Sequence, residues 1–244
     1  MLSEMLAKSG KTLLKGVAPD GKAYWAARFW DRDAAESHLR LRSHFLEQKE
    51  TISRYIAKFG DTPEVLEFCC GTGEFTRIAA ERTQAGRITA LDISEQGLEH
   101  TRRKVDHEDL RLVHGSFWDD HGLEKAPVVM CVDAVHHLGD VREVLTRMRE
   151  FVAPGGVFIG NLWTADNFHE FERVRYGTRA HLVRTAGFFS TALMIRLSGG
   201  RMKTGSYRTQ LLTNKEMEKV LREVFSEIVD IDRQRYFTGF VCRP

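Results

Sequence analysis

The stretch that most restricts what this chain can fold into runs from Val65 to Thr76, V-L-E-F-C-C-G-T-G-E-F-T. An apolar run long enough for a buried strand turns through Gly71-Thr72-Gly73 into a helical pattern from about Glu74. Glycines in such a turn let the backbone approach a ligand, and the first free N–H groups of the helix point at it. A second apolar run, Ile88 to Leu91, ends on Asp92. An acid at the tip of the second strand of a βαβ unit is placed to accept hydrogen bonds from a ribose diol. The pattern implies nucleoside binding. The bland alternative is a tight turn whose glycines only relieve sterics, with Asp92 a solvated helix cap.

From Val65 onward strands and helices alternate. Strands are predicted at 64–69, 87–92, 110–114, 128–132 and 157–162, with helices at about 74–84, 95–106 and 141–151 between them. Thr213 and Glu216 form a capping box for a last helix, and strands at 227–232 and 235–242 close the chain. Alternation with short loops argues a parallel, doubly wound sheet, which binds ligands at the carboxyl ends of its strands. Residues 71–73, 92, 115–118 and 133–137 all fall at such ends.

The glycine turn resembles motif I of the class I S-adenosylmethionine-dependent methyltransferases, hydrophobic-L-D/E-x-G-x-G-x-G. Glu67 matches the acid, and Gly71 and Gly73 the second and third glycines. Cys69 replaces the first. Asp92 matches the family's ribose-binding acid. A dehydrogenase fingerprint fits less well, because its last glycine would fall on Thr76. Gly115-Ser116-Phe117-Trp118 sits where the family reads G-D-A, so Ser116 replaces an acid near the adenine. Phe117 or Trp118 is either a stacking partner for the purine or core. Met130 to Leu138, with Arg147, Val152 and Pro154-Gly155-Gly156 beyond it, resembles the H-H segment of small-molecule methyltransferases. Together the matches cover about residues 61–162.

The resemblance implies an α/β fold. Its expected form is a Rossmann-like, doubly wound, mostly parallel seven-stranded sheet with an antiparallel C-terminal strand, N-terminal helices and a cap insertion. It implies S-adenosyl-L-methionine as cofactor, held by Glu67, Cys69, Gly71, Gly73, Asp92, Ile93, Ser116, Phe117 and Asp133. Residues 1–60 are expected to form a helical lid. The methyltransferase domain is expected over 61–244, with a cap inserted at about 164–212. That insertion is too long for a plain connection and carries eight Arg and Lys against three acids.

A single long helical stretch is predicted from about Ala23 to Phe59, opening with Tyr24, Trp25, Phe29 and Trp30. Trp25 and Trp30 are candidate substrate walls, and Tyr207 with Arg208 is a candidate pair reaching the acceptor from the cap. A basic, aromatic cap suits an anionic or carboxylated acceptor, although arginines on a helix face are equally well read as solvated.

Methyl transfer from a sulfonium needs alignment and exclusion of water more than a protein nucleophile. A hydroxyl acceptor also needs a base, a role that suits histidine near neutral pH. His137 is the first candidate and His136 the second. Asp133 competes as a partner for an amine acceptor or for the methionine moiety.

Composition narrows the acceptor. Lys and Arg number 36 against 34 Asp and Glu, a net +2, without the basic excess that phosphate contacts bring. A small molecule is therefore expected and nucleic acid is not. An RNA or protein methyltransferase docking through its basic cap, or a non-catalytic nucleoside-binding protein, is the alternative. Four cysteines without C-x-x-C spacing read as buried thiols, and no metal spacing is visible. No apolar run of membrane-spanning length occurs, and the first residues lack the apolar centre of a secretory leader. A cytoplasmic protein is expected. Oligomeric state is not readable, with a homodimer one option.

Overall fold

The computed structural model describes residues 2–17, 21–202 and 211–244. Its centre is a seven-stranded sheet: β1 (Glu64–Phe68), β2 (Arg87–Asp92), β3 (Leu110–His114), β4 (Ala126–Val132), β5 (Val152–Trp163), β6 (Glu227–Arg233) and β7 (Phe237–Arg243). The spatial order is β3-β2-β1-β4-β5-β7-β6. β7 runs opposite to the other six strands, pairing antiparallel with β5 and β6. The Rossmann-like architecture with an antiparallel C-terminal strand therefore stands as expected. Strand order reverses at β1, which lies between β2 and β4, so a crevice opens beyond the carboxyl ends of these strands.

The central strands are buried on both faces, which is why they read as unbroken apolar runs rather than alternating ones. On one face α7 (Val141–Glu150) and α10 (Asn214–Val224) pack Val144, Leu145, Met148, Met217 and Leu221 against Leu66, Val129 and Phe158. On the other, α4 (Arg42–Lys58) and α5 (Glu74–Arg82) pack Ile52, Tyr55, Ile56 and Ile78 against Val65, Ile88 and Val128. Helix α6 (Glu95–Lys104) follows β2. The β5 ladder begins five residues earlier than predicted. Ala126 pairs Val152, and a register shift between Ala126 and Val128 absorbs the Pro154-Gly155-Gly156 segment into the strand.

The long helix predicted over 23–59 is instead three: α2 (Lys22–Ala26), α3 (Arg32–Glu36) and α4. The break has a local cause. The Asp31 carboxylate accepts the Ala34 N–H at 2.9 Å, starting a new helix from an extended residue. Helix α1 (Leu2–Leu14) packs on α9 (Thr178–Leu197) through Leu14, Phe188, Ala192 and Ile195. Helix α9 also takes in the apolar run 187–195, and α8 (Phe168–Tyr176) precedes it. Ala35, Leu41 and Phe45 of the N-terminal helices join Phe171 of α8 and Phe237 of β7 in one cluster. The residues before β1 are thus shared between sheet and cap. Among the described residues no helix is long and apolar enough to cross a membrane.

Candidate active site

A cavity of about 580 Å³ opens at the reversal point, a size usual for small-molecule sites. Gly71 stands at its mouth with φ +57°, and a Cβ there would meet no atom within 4 Å. That position is empty space on the cavity side. Gly73, φ +75°, is different: its Cβ would lie 2.7 Å from Thr101 Cγ2, so bareness there lets the loop close onto α6. Asp92 Oδ2 accepts the Gly71 N–H at 2.8 Å and Oδ1 accepts the Ser94 N–H at 2.7 Å. Each oxygen keeps a lone pair for a further donor. Burial raises the Asp92 carboxyl while these backbone donors oppose the rise.

Beneath the loop, Glu67 is buried and accepts the Thr76 hydroxyl at 2.5 Å. Burial pushes its carboxyl up to about 7. Glu67 supports the turn from below and does not line the cavity. Cys69 has φ +59°, the left-handed backbone that a glycine adopts freely. Asp133, at the end of adjacent β4, has φ +58°, and among the described residues no other non-glycine has positive φ. Backbone strain of this kind collects at binding sites.

Asp133 is the hub of a buried network that its sequence surroundings do not reveal. Its carboxylate accepts from Gln48 Nε2 at 2.6 Å, Trp163 Nε1 at 3.1 Å and Arg32 Nη1 at 3.2 Å. Gln48 also donates to Asn161 at 2.8 Å and accepts from Arg32. Arg32 further donates to Glu36 at 2.7 Å and to the Phe45 carbonyl at 2.9 Å. Burial raises the Asp133 carboxyl and the Arg32 charge opposes it. The network clamps α3 and α4 to the ends of β4 and β5. Glu74, at the start of α5, pairs with Lys49, with Arg77 at 2.9 Å and with Lys104 at 3.5 Å.

Ile93, Ser116 and Phe117 line the cavity next to Asp92. The Ser116 hydroxyl accepts the Trp118 N–H at 3.3 Å. Phe117 is both core and wall: it meets Phe68 edge-on at 5.1 Å and is 3% exposed. Trp118 is the more exposed ring, and its Nε1 donates to the Leu138 carbonyl at 2.9 Å.

His136 and His137 occupy a 3₁₀ turn, Val135–His137, on the cavity wall. Their rings lie 4.1 Å apart. Both ring nitrogens of His136 and Nδ1 of His137 have no hydrogen-bond partner among the described residues. Burial pushes the His137 imidazole down to about 4 and that of His136 well below its ordinary value. Both are therefore neutral at pH 7. Trp25 packs on His137 at 4.8 Å, and Trp30 packs on Trp163 at 5.6 Å. All four tryptophans of the chain, Trp25, Trp30, Trp118 and Trp163, line this cavity.

The structure thus gathers Cys69, Gly71, Asp92, Ile93, Ser116, Phe117, Asp133, His136, His137, Trp25 and Trp30 around one cavity, with Glu67 and Gly73 behind the loop. Tyr207 and Arg208 lie outside the described residues. Sequence reading missed Arg32, Gln48, Trp163 and Tyr176, and counted Arg175 only among the basic residues of the cap. Gln48 carries a readable signal, because it interrupts the apolar stripe of Phe45, Ile52, Tyr55 and Ile56 on α4. Among the described residues no group of three or more metal-ligating side chains converges.

The donor set fits S-adenosyl-L-methionine. Asp92 keeps acceptor capacity of the kind a ribose diol would use, the empty space at Gly71 would admit a ligand against the backbone, and Ile93 and Phe117 give the cavity an apolar wall of the kind a purine would need.

Comparison with known proteins points the same way. A family model of the methyltransferase domain matches residues 65–156. The demethylmenaquinone methyltransferase of Listeria welshimeri is 29% identical over 51% of this chain and 54% of its own. The malonyl-[acyl-carrier protein] O-methyltransferase of Halalkalibacterium halodurans is 22% identical over 58% and 59%. The chain therefore spans little more than half the length of the curated relatives it matches. Among solved structures, the N-methyltransferase NodS of Bradyrhizobium japonicum, in complex with S-adenosyl-L-homocysteine, superposes with a TM-score of 0.57 at 15% identity, covering 87% of this chain and 95% of NodS. The magnesium protoporphyrin IX methyltransferase of Synechocystis, with the same ligand, gives 0.57 at 13% identity, covering 84% and 88%. These two likenesses concern the fold. Residues 65–156 thus match a methyltransferase domain, and the fold around them is one shared with S-adenosylmethionine-dependent methyltransferases.

Proposed function

We propose that this chain methylates a small-molecule acceptor seated against the tryptophan wall, by in-line transfer to an oxygen or nitrogen. The observation that carries the reading is the continuity of one cavity from the Gly71–Asp92 cradle to Trp25, Trp30 and Trp163. S-adenosyl-L-methionine, when bound, supplies an electrophilic methyl group. The chain's own residues hold and orient. Asp92, Gly71 and Ile93 fix the nucleoside, and the Asp133 network sets the wall behind the reacting centre. His137, neutral and with Nδ1 unpartnered, takes a proton from a hydroxyl acceptor or orients it, with His136 behind it. The described parts of residues 1–60 and of the insertion at 164–212, above all α2, α3, α8 and α9, cover the cavity and exclude water over a methyltransferase domain assigned to 61–244. The protein works in the cytoplasm on a soluble acceptor, without nucleic acid.

Calorimetric titration with S-adenosyl-L-methionine and S-adenosyl-L-homocysteine tests the cradle. Micromolar binding supports it, and no heat with either ligand overturns it. Transfer of labelled methyl to phenolic or carboxylated acceptors then tests the activity.

A further inference from the structure

The cavity wall also carries two arginines, Arg175 and Arg184, beside a single buried acid, Glu172. The Arg175 guanidinium lies over the Trp30 ring at 4.5 Å and over the Tyr176 ring at 4.9 Å. Ring packing covers the flat of a guanidinium and leaves its in-plane N–H donors free. Among the described residues no carboxylate pairs with Arg175 and none of its side-chain donors is engaged. Burial lowers its pKa, a mark of a charge drawn away from water without full compensation. Arg184 stands over the same Tyr176 ring at 4.1 Å, with Glu172 3.8 Å away. Glu172 acts on Arg175 through space without a direct ion pair, Asp92 accepts backbone N–H groups and Arg28 donates to the Tyr24 carbonyl, while Arg32 sits with Asp133, Glu74 with Lys49 and Arg77, and Lys22 with Asp119.

A run of side chains joins this end to the histidines. His136 lies 5.9 Å from Trp163, Trp163 lies 5.6 Å from Trp30, and Trp30 lies against Arg175. Trp30 and Trp163 meet edge to face at 75°, so a planar molecule flat against one ring stands edge-on to the other, between the histidine turn and the arginine.

We propose that Arg175, assisted by Arg184, is the specificity residue for the acceptor and selects a planar carboxylate, with the ring packed in the corner between Trp30 and Trp163 and the carboxylate on the guanidinium edge. The proposal deepens the methyltransferase reading and rests on it for the word acceptor. The anion site itself stands apart from the chemistry. A carboxylate meets the guanidinium fork through two parallel hydrogen bonds, which a neutral amide cannot reproduce.

The test uses naphthoate and its uncharged isostere naphthamide, titrated into protein saturated with S-adenosyl-L-homocysteine and followed by tryptophan fluorescence. Because every tryptophan lines the cavity, the signal reports on it directly. Wild type is expected to prefer naphthoate by about tenfold or more, the scale of a charge-assisted hydrogen bond. Arg175→Gln is expected to lose that preference while its affinity for S-adenosyl-L-homocysteine stays within about threefold, and Arg175→Lys to recover part of it. Equal binding of the two probes by wild type, absence of naphthoate binding at millimolar concentration, or an undiminished preference in Arg175→Gln overturns the proposal. The wild-type comparison needs no variant, and Arg184→Gln, expected to weaken the preference, supplies a second reading if Arg175→Gln misfolds. If S-adenosyl-L-homocysteine does not bind but the naphthoate preference persists in its absence, the methyltransferase reading falls and the anion site stands. If S-adenosyl-L-homocysteine binds and the preference is missing, the reverse holds.

Discussion

The Asp92 carboxylate accepts the Gly71 N–H at 2.8 Å, so an acid that lines the cavity also fixes the glycine loop beside it. Asp92→Ala removes both roles. Its affinity for S-adenosyl-L-homocysteine is expected to fall by roughly 1.5–3 kcal/mol, the scale of hydrogen bonds to a charged group. Calorimetry reads this directly, and unchanged affinity would remove Asp92 from the site.

The two loop glycines are expected to fail in different assays. Gly71→Val places a side chain in empty space at a left-handed φ. The protein stays folded, losing roughly 1–2 kcal/mol of stability, and cofactor binding is abolished. Gly73→Ala drives a Cβ into Thr101 and should lower the melting temperature further. Melting curves and calorimetry on both variants separate the outcomes. Unfolding of Gly71→Val would make its bareness structural.

Glu67 makes stability depend on pH. Its folded carboxyl titrates at about 7, against an ordinary value of 4.5 in the unfolded chain. As pH rises between these values, the unfolded chain gives up its proton first, and stability drains away. The loss is absent below about pH 4.5 and complete above about pH 7, at a scale of about 3 kcal/mol. Glu67→Gln should flatten the decline between pH 5 and pH 8 in denaturant melts. A variant that follows the wild-type curve would show the decline to come from elsewhere.

His137 titrates at about 4, so as a base it is ready throughout pH 5–8, and acid inhibition should set in only towards pH 4. A base held near 4 is weak at neutral pH, so His137→Asn is expected to lower kcat for a hydroxyl acceptor by about tenfold, the scale of one orienting hydrogen bond. A kcat within threefold of wild type, on an acceptor the enzyme turns over, would reduce His137 to packing on Trp25.

Much of this site was legible because it follows the sheet. Strands buried on both faces announce themselves as apolar runs, and the loops at their carboxyl ends then fall together without further information. Gly71, Asp92 and the histidine turn were placed that way. The Asp133 network was not, because Arg32 lies 101 positions away and Gln48 85, and no local pattern pairs residues at such separation. Cys69 is a related case. The sequence shows a lost glycine, but only the backbone shows that the cysteine keeps the glycine's left-handed turn. The break of the predicted 23–59 helix was hidden because its aromatic residues satisfy a helical period and equally a folded-back wall.

Helix α1 finds its partner in α9, with β1 to β5 lying between them in the chain. Closing that distance is entropically expensive until the intervening strands have paired. Pulsed hydrogen exchange during refolding should therefore protect β1 and β4 before α9, and simultaneous protection would contradict this order. A ribosome releases α1 to α4 before the glycine loop and α8 and α9 after β5, so a nascent chain completes the loop and its strands with only half of the roof made.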